Sequence, residues 1–333
     1  MSLIITPYPI KRSRRLRRTG WIRDLVSENQ LSISDLIWPI FVCEGFNKKE
    51  SIKSLPGVFR YSIDQVTEIA KQSVDLGINC IALFPNTPID LKTPDCAEAW
   101  NPDNLVNKAT RAIKKVTPDL GIMLDVALDP YNSNGHDGLV KGSEILNDET
   151  LIALEKQALA QASSGADILG PSDMMDGRVS VIRKALETEG FQNVLIMSYS
   201  AKFASAFYGP FRDAVGASGS LSGNKKTYQI DCANLKEAVR EAALDLSEGA
   251  DMVMVKPGLP YLDVCQTIKK KLKVPTFAYQ VSGEYAMIES AHLNGLINKD
   301  SILLETLLSF KRAGCDGVLT YFAPQMAKLI EQK

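Results

Sequence analysis

The sequence predicts an α/β chain folded as a (β/α)8 barrel of the TIM type, preceded by an extended N-terminal arm. Three observations lead there. A helix-like stretch, a glycine, a few residues and a short apolar run recur as "QSVDLGINCIALF", "QASSGADILGPS", "LETEGFQNVLIMSY", "LSEGADMVMVKP" and "FKRAGCDGVLTYF". The apolar runs lack polar alternation, as expected of parallel strands buried on both faces. "DLIWPIFV" (residues 35–42), "LGIMLDVAL" (residues 120–128) and "VPTFAYQ" (residues 274–280) bring the candidate strands to eight, the number that closes such a barrel. A doubly wound open sheet is the alternative, but no GxGxxG follows the first strand to support it.

Along the chain, residues 1–30 show no strand pattern and read as an arm; residues 31–333 read as one catalytic barrel, with no Ser/Pro/Gly linker to divide them. Helix starts are marked by "SIDQ" at Ser62 and "NLKE" at Asn234, both with capping-box spacing. Gly77, Gly165, Gly190, Gly249 and Gly314 sit where a left-handed residue would close each helix before the next strand.

Composition narrows the function. With 333 residues, 45% hydrophobic and 23% charged, the chain can bury a large core. It contains neither the roughly 18 to 20 uninterrupted apolar residues of a membrane span nor a secretory h-region, so a soluble cytoplasmic protein with no membrane partner is expected. The six cysteines form no CxxC pair and read as buried thiols in a reducing compartment. A net charge of −1 argues against a nucleic-acid surface. The basic run "KRSRRLRR" (residues 11–18) could be a nucleic-acid arm or part of a transit peptide, but it lacks interleaved aromatics and reads first as a solvated or subunit-embracing arm.

Chemistry in a barrel gathers at the C-terminal ends of the strands. The residues there are Phe84, Asp125 with Asp129, Ser172 with Asp173, Ser198 to Lys202, Lys256, Tyr279 with Ser282, and Tyr321. Lys256 ends the apolar run "VMVK". An ammonium taken out of water tends to deprotonate, and a neutral amine attacks ketones to form a Schiff base; a lysine snorkelling to the barrel mouth is the equal alternative on this stretch alone. Lys202 follows the end of the preceding strand. Neighbouring strands run about 4.8 Å apart, so each amine would disfavour protonation of the other.

The stretch "DVALDPYNSNGHDG" offers Asp125, Asp129 and Asp137, which suit a hard cation such as Mg2+, proton handling, or simply an Asx-rich turn. Two histidines in the whole chain leave little room for a Ser/His/Asp triad or a His-based metal site.

These segments, together with "SLPGVFRYS", "PSDMMDGRV", "SYSAKFASAFYGPFRDA", "EGADMVMVKPG", "YQVSGEYAM" and "LTYFAPQ", make the chain resemble the porphobilinogen synthases (5-aminolaevulinate dehydratases) over nearly its whole length. The resemblance implies condensation of two 5-aminolaevulinate molecules to porphobilinogen with loss of two waters, in tetrapyrrole (haem) synthesis. It implies Schiff bases on Lys256 and Lys202. It places Arg212, Lys225 and Gln229 at one substrate carboxylate, Ser282 and Tyr321 at the other, and Ser172 and Tyr208 on the Lys202 side. Residues 203–229 resemble the family's lid.

Where zinc-dependent members carry cysteines this chain has Ala127, Asp129 and Asp137, so no catalytic zinc is expected; the implied cation is an activating Mg2+ away from the active site, at Glu241. By itself Glu241 is an ordinary solvated helix residue. Lys225 stands where many members have arginine, which loses a bidentate grip, and Gly170 stands where alanine is common. The resemblance also implies a homo-oligomer, usually an octamer embraced by the arm. A class I aldolase barrel, with one lysine and a phosphate or polyol site, and a catalytically silent barrel are the rivals; two amines and a cationic lid facing one pocket suit neither.

Overall fold

The computed structural model describes residues 6–216, 221 and 223–332. Eight parallel strands close into a barrel: β1 Leu36–Cys43, β2 Cys80–Asn86, β3 Gly121–Val126, β4 Ile168–Pro171, β5 Leu195–Lys202, β6 Met252–Lys256, β7 Thr276–Gln280 and β8 Gly317–Thr320. Each pairs with its successor, and Leu36 opposite Val318 joins the last strand to the first. The predicted strands therefore all form, with ends within about two residues of the sequence reading.

The helices form where apolar spacing and capping agree. Leu105–Val116 buries Leu105, Ala109 and Ile113 at four-residue spacing, so one stripe meets the barrel wall. The Asn104 side chain accepts from the Asn107 amide at 2.9 Å, a cap that contributes about 1 kcal/mol. Lys114 and Lys115 lie in the last turn, where the helix dipole favours cations.

Gly314, at φ +95, ends helix Lys299–Ala313, and the other four predicted glycines are likewise left-handed. At Ser62 and Asn234 the helix boundaries are as predicted but the capping bonds are not. The Ser62 hydroxyl takes the Lys48 amide and donates to Asp64, and the Asn234 amide donates to Glu237. A long-range loop and the nearest carboxylates thus outcompete the helix amides.

The buried apolar residues form two adjoining clusters, both spanning the barrel interior and the strand–helix layer. Before β1 the described chain makes a short turn, Ser13–Arg17, and a helix, Gly20–Leu25, with no buried residue in either. No helix of the described residues is long and apolar enough to cross a membrane. Of the cysteines, Cys43, Cys96, Cys265 and Cys315 are buried, but Cys232 is exposed, against the sequence expectation, because it sits in the β5–β6 connection rather than on a strand.

Candidate active site

A cavity of about 580 Å³ opens at the C-terminal end of the barrel, and Lys256 and Lys202 both line it. They are direct register partners at the ends of β6 and β5. Their meeting depends on an irregularity: between the Val253–Ser198 and Val255–Ala201 pairs, β5 carries one residue more than β6. Strict alternation would send Tyr199 and Lys202 to opposite faces; the extra residue restores both to the barrel interior.

Lys256 is buried under aromatic rings. Its Nζ stands 4.9 Å from the ring centres of Tyr199 and Tyr279, 5.1 Å from Phe211 and 5.6 Å from Tyr208. Burial, and then the charge of Lys202, pull its pKa down to about 7, with Asp125, Asp129 and Asp137 opposing. Roughly half of it is therefore a neutral nucleophile at neutral pH. Lys202 is held differently: its Nζ bonds Asp137 at 2.8 Å and the Ser172 carbonyl. The two amines are thus set up unequally, one in an aromatic box and one against a carboxylate.

Burial pushes the Asp125 carboxyl up to about 6 against the pull of Lys256 and Lys202. Its Oδ1 is buried with no hydrogen-bond partner among the described residues. Such a group can both take and give a proton near neutrality. Asp137 is also buried, but Lys202 and Lys225 outweigh that and hold it below the usual carboxylate range. Lys225 bonds Asp137 at 2.6 Å and Asp129 at 3.4 Å, so the cation assigned to a substrate carboxylate rests here on two protein carboxylates.

Arg212, Gln229, Ser172 and Tyr208 line the same cavity. Gln229 has a buried Nε2 without a partner among the described residues, and the Tyr208 hydroxyl donates to the Lys256 carbonyl at 3.0 Å. Ser282 and Tyr321 do not line that cavity. Ser282 Oγ accepts from the Phe211 amide at 2.9 Å, and the Tyr321 and Tyr279 hydroxyls lie 2.9 Å apart, so both stand on the aromatic side of Phe211. Part of the lid stretch, residues 217–220 and 222, lies outside the described residues.

Two of the strand-end residues turn away from the cavity. Ser198 donates to Asp245 at 2.7 Å, and the Asp173 carboxyl caps the Met175 amide beside Arg178. They serve a buried cluster in which Arg178 bonds Asp245 at 2.8 Å, and a position next to a strand end does not reveal that. Conversely, Tyr199, within the strand-end run Ser198 to Lys202, and Phe211, outside it, both pack against Lys256, a contact that the sequence pattern does not show. Their only sequence signal is that each lies within ten residues of Lys202.

For a metal, the donor sets differ. Among the described residues no three His, Cys, Asp or Glu side chains lie close enough together to hold an ion. Beside Lys202 and Lys225, Asp129 and Asp137 have ammonium partners and no thiolate, which does not suit zinc. Glu241 is half-buried, its carboxyl raised by burial against the pull of Arg178, and lines a separate cavity with Glu237, Asp176 and Asp231. Separated carboxylates around one cavity suit a cation that keeps most of its water, as Mg2+ does.

The model of the delta-aminolevulinic acid dehydratase family matches residues 10–329. The chain is 57% identical over 330 residues to the delta-aminolevulinic acid dehydratase of Rhodobacter capsulatus, covering 99% of each. It is 57% identical to that of Bradyrhizobium diazoefficiens, over 95% of this chain and 90% of the relative. The crystal structure of the Toxoplasma gondii ME49 enzyme, in complex with the reaction product porphobilinogen, superposes with a TM-score of 0.95 at 47% identity, over 97% of this chain and 92% of that one. Matched over nearly its whole length, the chain belongs to the delta-aminolevulinic acid dehydratase family, the porphobilinogen synthases, and is a hydro-lyase.

Proposed function

We propose that this chain condenses two 5-aminolaevulinate molecules to porphobilinogen, with loss of two waters, through Schiff bases on Lys256 and Lys202. The observation that carries the reading is the register pairing of the two amines, with Lys256 pulled to about 7 inside an aromatic box. Lys256 Nζ adds to the ketone carbon of one substrate, and the resulting hydroxyl leaves as water when Asp125 supplies a proton. Lys202, freed from Asp137, captures the second ketone. One carbon–carbon and one carbon–nitrogen bond then join the substrates, and both lysines are recovered as amines.

Arg212, Lys225 and Gln229 hold one carboxylate, which must compete with Asp129 and Asp137 for Lys225. Ser282 and Tyr321 hold the other by their hydroxyls. Ser172 and Tyr208 contact the substrate on the Lys202 side.

The proposed activator is Mg2+ bound at Glu241 through water, away from the lysines. The proposed assembly is a cytoplasmic homo-octamer in which residues 1–30 pack on a neighbouring subunit, supported by the exposure of Tyr8, Ile10, Trp21 and Leu25 on the arm. The test of the chemistry is borohydride trapping with 5-aminolaevulinate and peptide mapping. A substrate adduct on Lys256, with or without one on Lys202, is the expected result; a folded protein with neither lysine modified rejects the reading.

A further inference from the structure

Two buried cations that the reaction above does not use hold the foot of the helix that carries Arg212. At the end of helix Gly209–Ala214 the Asp213 carbonyl takes the Gly216 amide at 3.2 Å, and the carbonyls that follow lie beyond the last helical turn. Arg60 Nη2 donates to the Asp213 carbonyl at 2.5 Å and its Nε to Ala214 at 2.6 Å. Lys92 Nζ donates to the carbonyls of Val215 at 3.3 Å and Gly216 at 3.2 Å. Four successive carbonyls thus rest on two side chains that are 8% and 7% exposed.

Both cations come from across the barrel mouth. Arg60 lies in the short strand Phe59–Tyr61 beside β1, and Lys92 follows the turn Ile89–Leu91 after β2. At the start of the same helix the Phe211 amide donates to Ser282 Oγ, and the Phe211 ring lies 5.1 Å from Lys256 Nζ. The helix is therefore pinned at both ends, with Arg212 between the pins.

Satisfying a helix end does not require buried charge: water, a glycine turn or a neutral side chain would serve without desolvating a cation, a cost that Arg60 offsets in part through Glu50 at 2.8 Å. What two charged donors add is direction. A cation at the C-terminus is favoured by the helix dipole, and carbonyls held by both Arg60 and Lys92 leave the helix one orientation.

We propose that Arg60 and Lys92 are positioning residues that clamp the C-terminal carbonyls of helix Gly209–Ala214 and so hold Arg212 and Phe211 over the Lys256 amine. The proposal rests on the Schiff-base reading of Lys256 and extends it to residues that touch neither substrate nor lysine.

The test uses the full-length chain with Lys92→Met, Arg212→Met and the double variant, with Lys92→Arg as the conservative control. Lys92→Met is expected to raise KM for 5-aminolaevulinate about tenfold with kcat changed less than about threefold, and Lys92→Arg to restore most of it. In the Arg212→Met background the same change should alter KM less than about twofold, since the group it positions is gone. Full additivity would overturn the proposal.

Hydrogen exchange supplies a readout independent of the chemistry. Exchange of the Val215 and Gly216 amides should rise at least about tenfold in Lys92→Met, and unchanged exchange would overturn the clamp. Should Lys92→Met not fold, Arg60→Lys, which keeps the charge and loses the fork, is read in the same way. If the unsubstituted chain forms no adduct on Lys256, the Schiff-base reading fails while the exchange data still decide whether the clamp exists.

Discussion

The prediction that tests the site most directly is the titration of Lys256. The perturbation is pH, and the probe is 4-oxopentanoate, a ketone that has the substrate's carbon chain and lacks its amine, so that it is trapped without being condensed. An ordinary lysine titrates near 10.5 and is neutral in only about one molecule in 3000 at pH 7. With the value pulled to about 7, about half is neutral.

Lys256 should therefore be trapped about a thousandfold faster at pH 7 than an exposed lysine of equal reactivity. The trapping rate should climb between about pH 6 and 8 and then level off. The assay is the initial rate of borohydride-fixed adduct on the Lys256 peptide, read by mass spectrometry from pH 5 to 10. Lys202→Met should move the midpoint upward but leave it well below 10.5, because burial ranks ahead of the neighbouring charge as its cause. A midpoint near 10 in the unsubstituted protein would show that Asp125, Asp129 and Asp137 accommodate the ammonium after all, and would refute the burial argument.

The remaining predictions concern stability and the cation. Because Lys256 has a lower pKa folded than unfolded, the unfolded chain binds more protons between about 7 and 10.5; the cost of the buried amine is full below pH 7 and fades as pH rises through that window. Lys256→Met should therefore abolish turnover yet raise Tm, by more at pH 6 than at pH 10; an equal gain at both would contradict the linkage. A Cβ at Gly170 would lie 2.4 Å from Met123 Cε and 3.0 Å from Tyr199 Cε2. Since the Met123 terminus can rotate away, Gly170→Ala should cost about 1–2 kcal/mol by chemical denaturation and leave trapping at Lys256 within about threefold; unfolding would mean that Met123 has no alternative rotamer. Glu241→Ala should remove the response of the rate to added Mg2+ and leave the Mg2+-free rate unchanged, and a response that persists places the cation elsewhere.

The order of strands and helices was legible because each depends on near neighbours in the chain. Glycines such as Gly314 stop helices by their backbone freedom, and short apolar runs that follow such a glycine, "VMVK" among them, suit strands buried on both faces. The two lysines followed from the same local reading plus the rule that a barrel's chemistry lies at its strand ends. What local pattern could not decide is which way the side chains at those ends point.

Asp173 follows Ser172 at the end of β4 and Ser198 lies inside β5, yet both turn to the Arg178–Asp245 cluster; and a single extra residue in β5 between Ser198 and Ala201 resets which side chains beyond it face inward, Lys202 among them. Nor does the sequence relate Arg60 and Lys92 to carbonyls more than a hundred positions away. Periodicity and capping act over one or two turns and survive in the sequence. Pairings between charged groups, and the pKa values they set, arise only when closure of the barrel brings distant loops to the same mouth and removes the water between them.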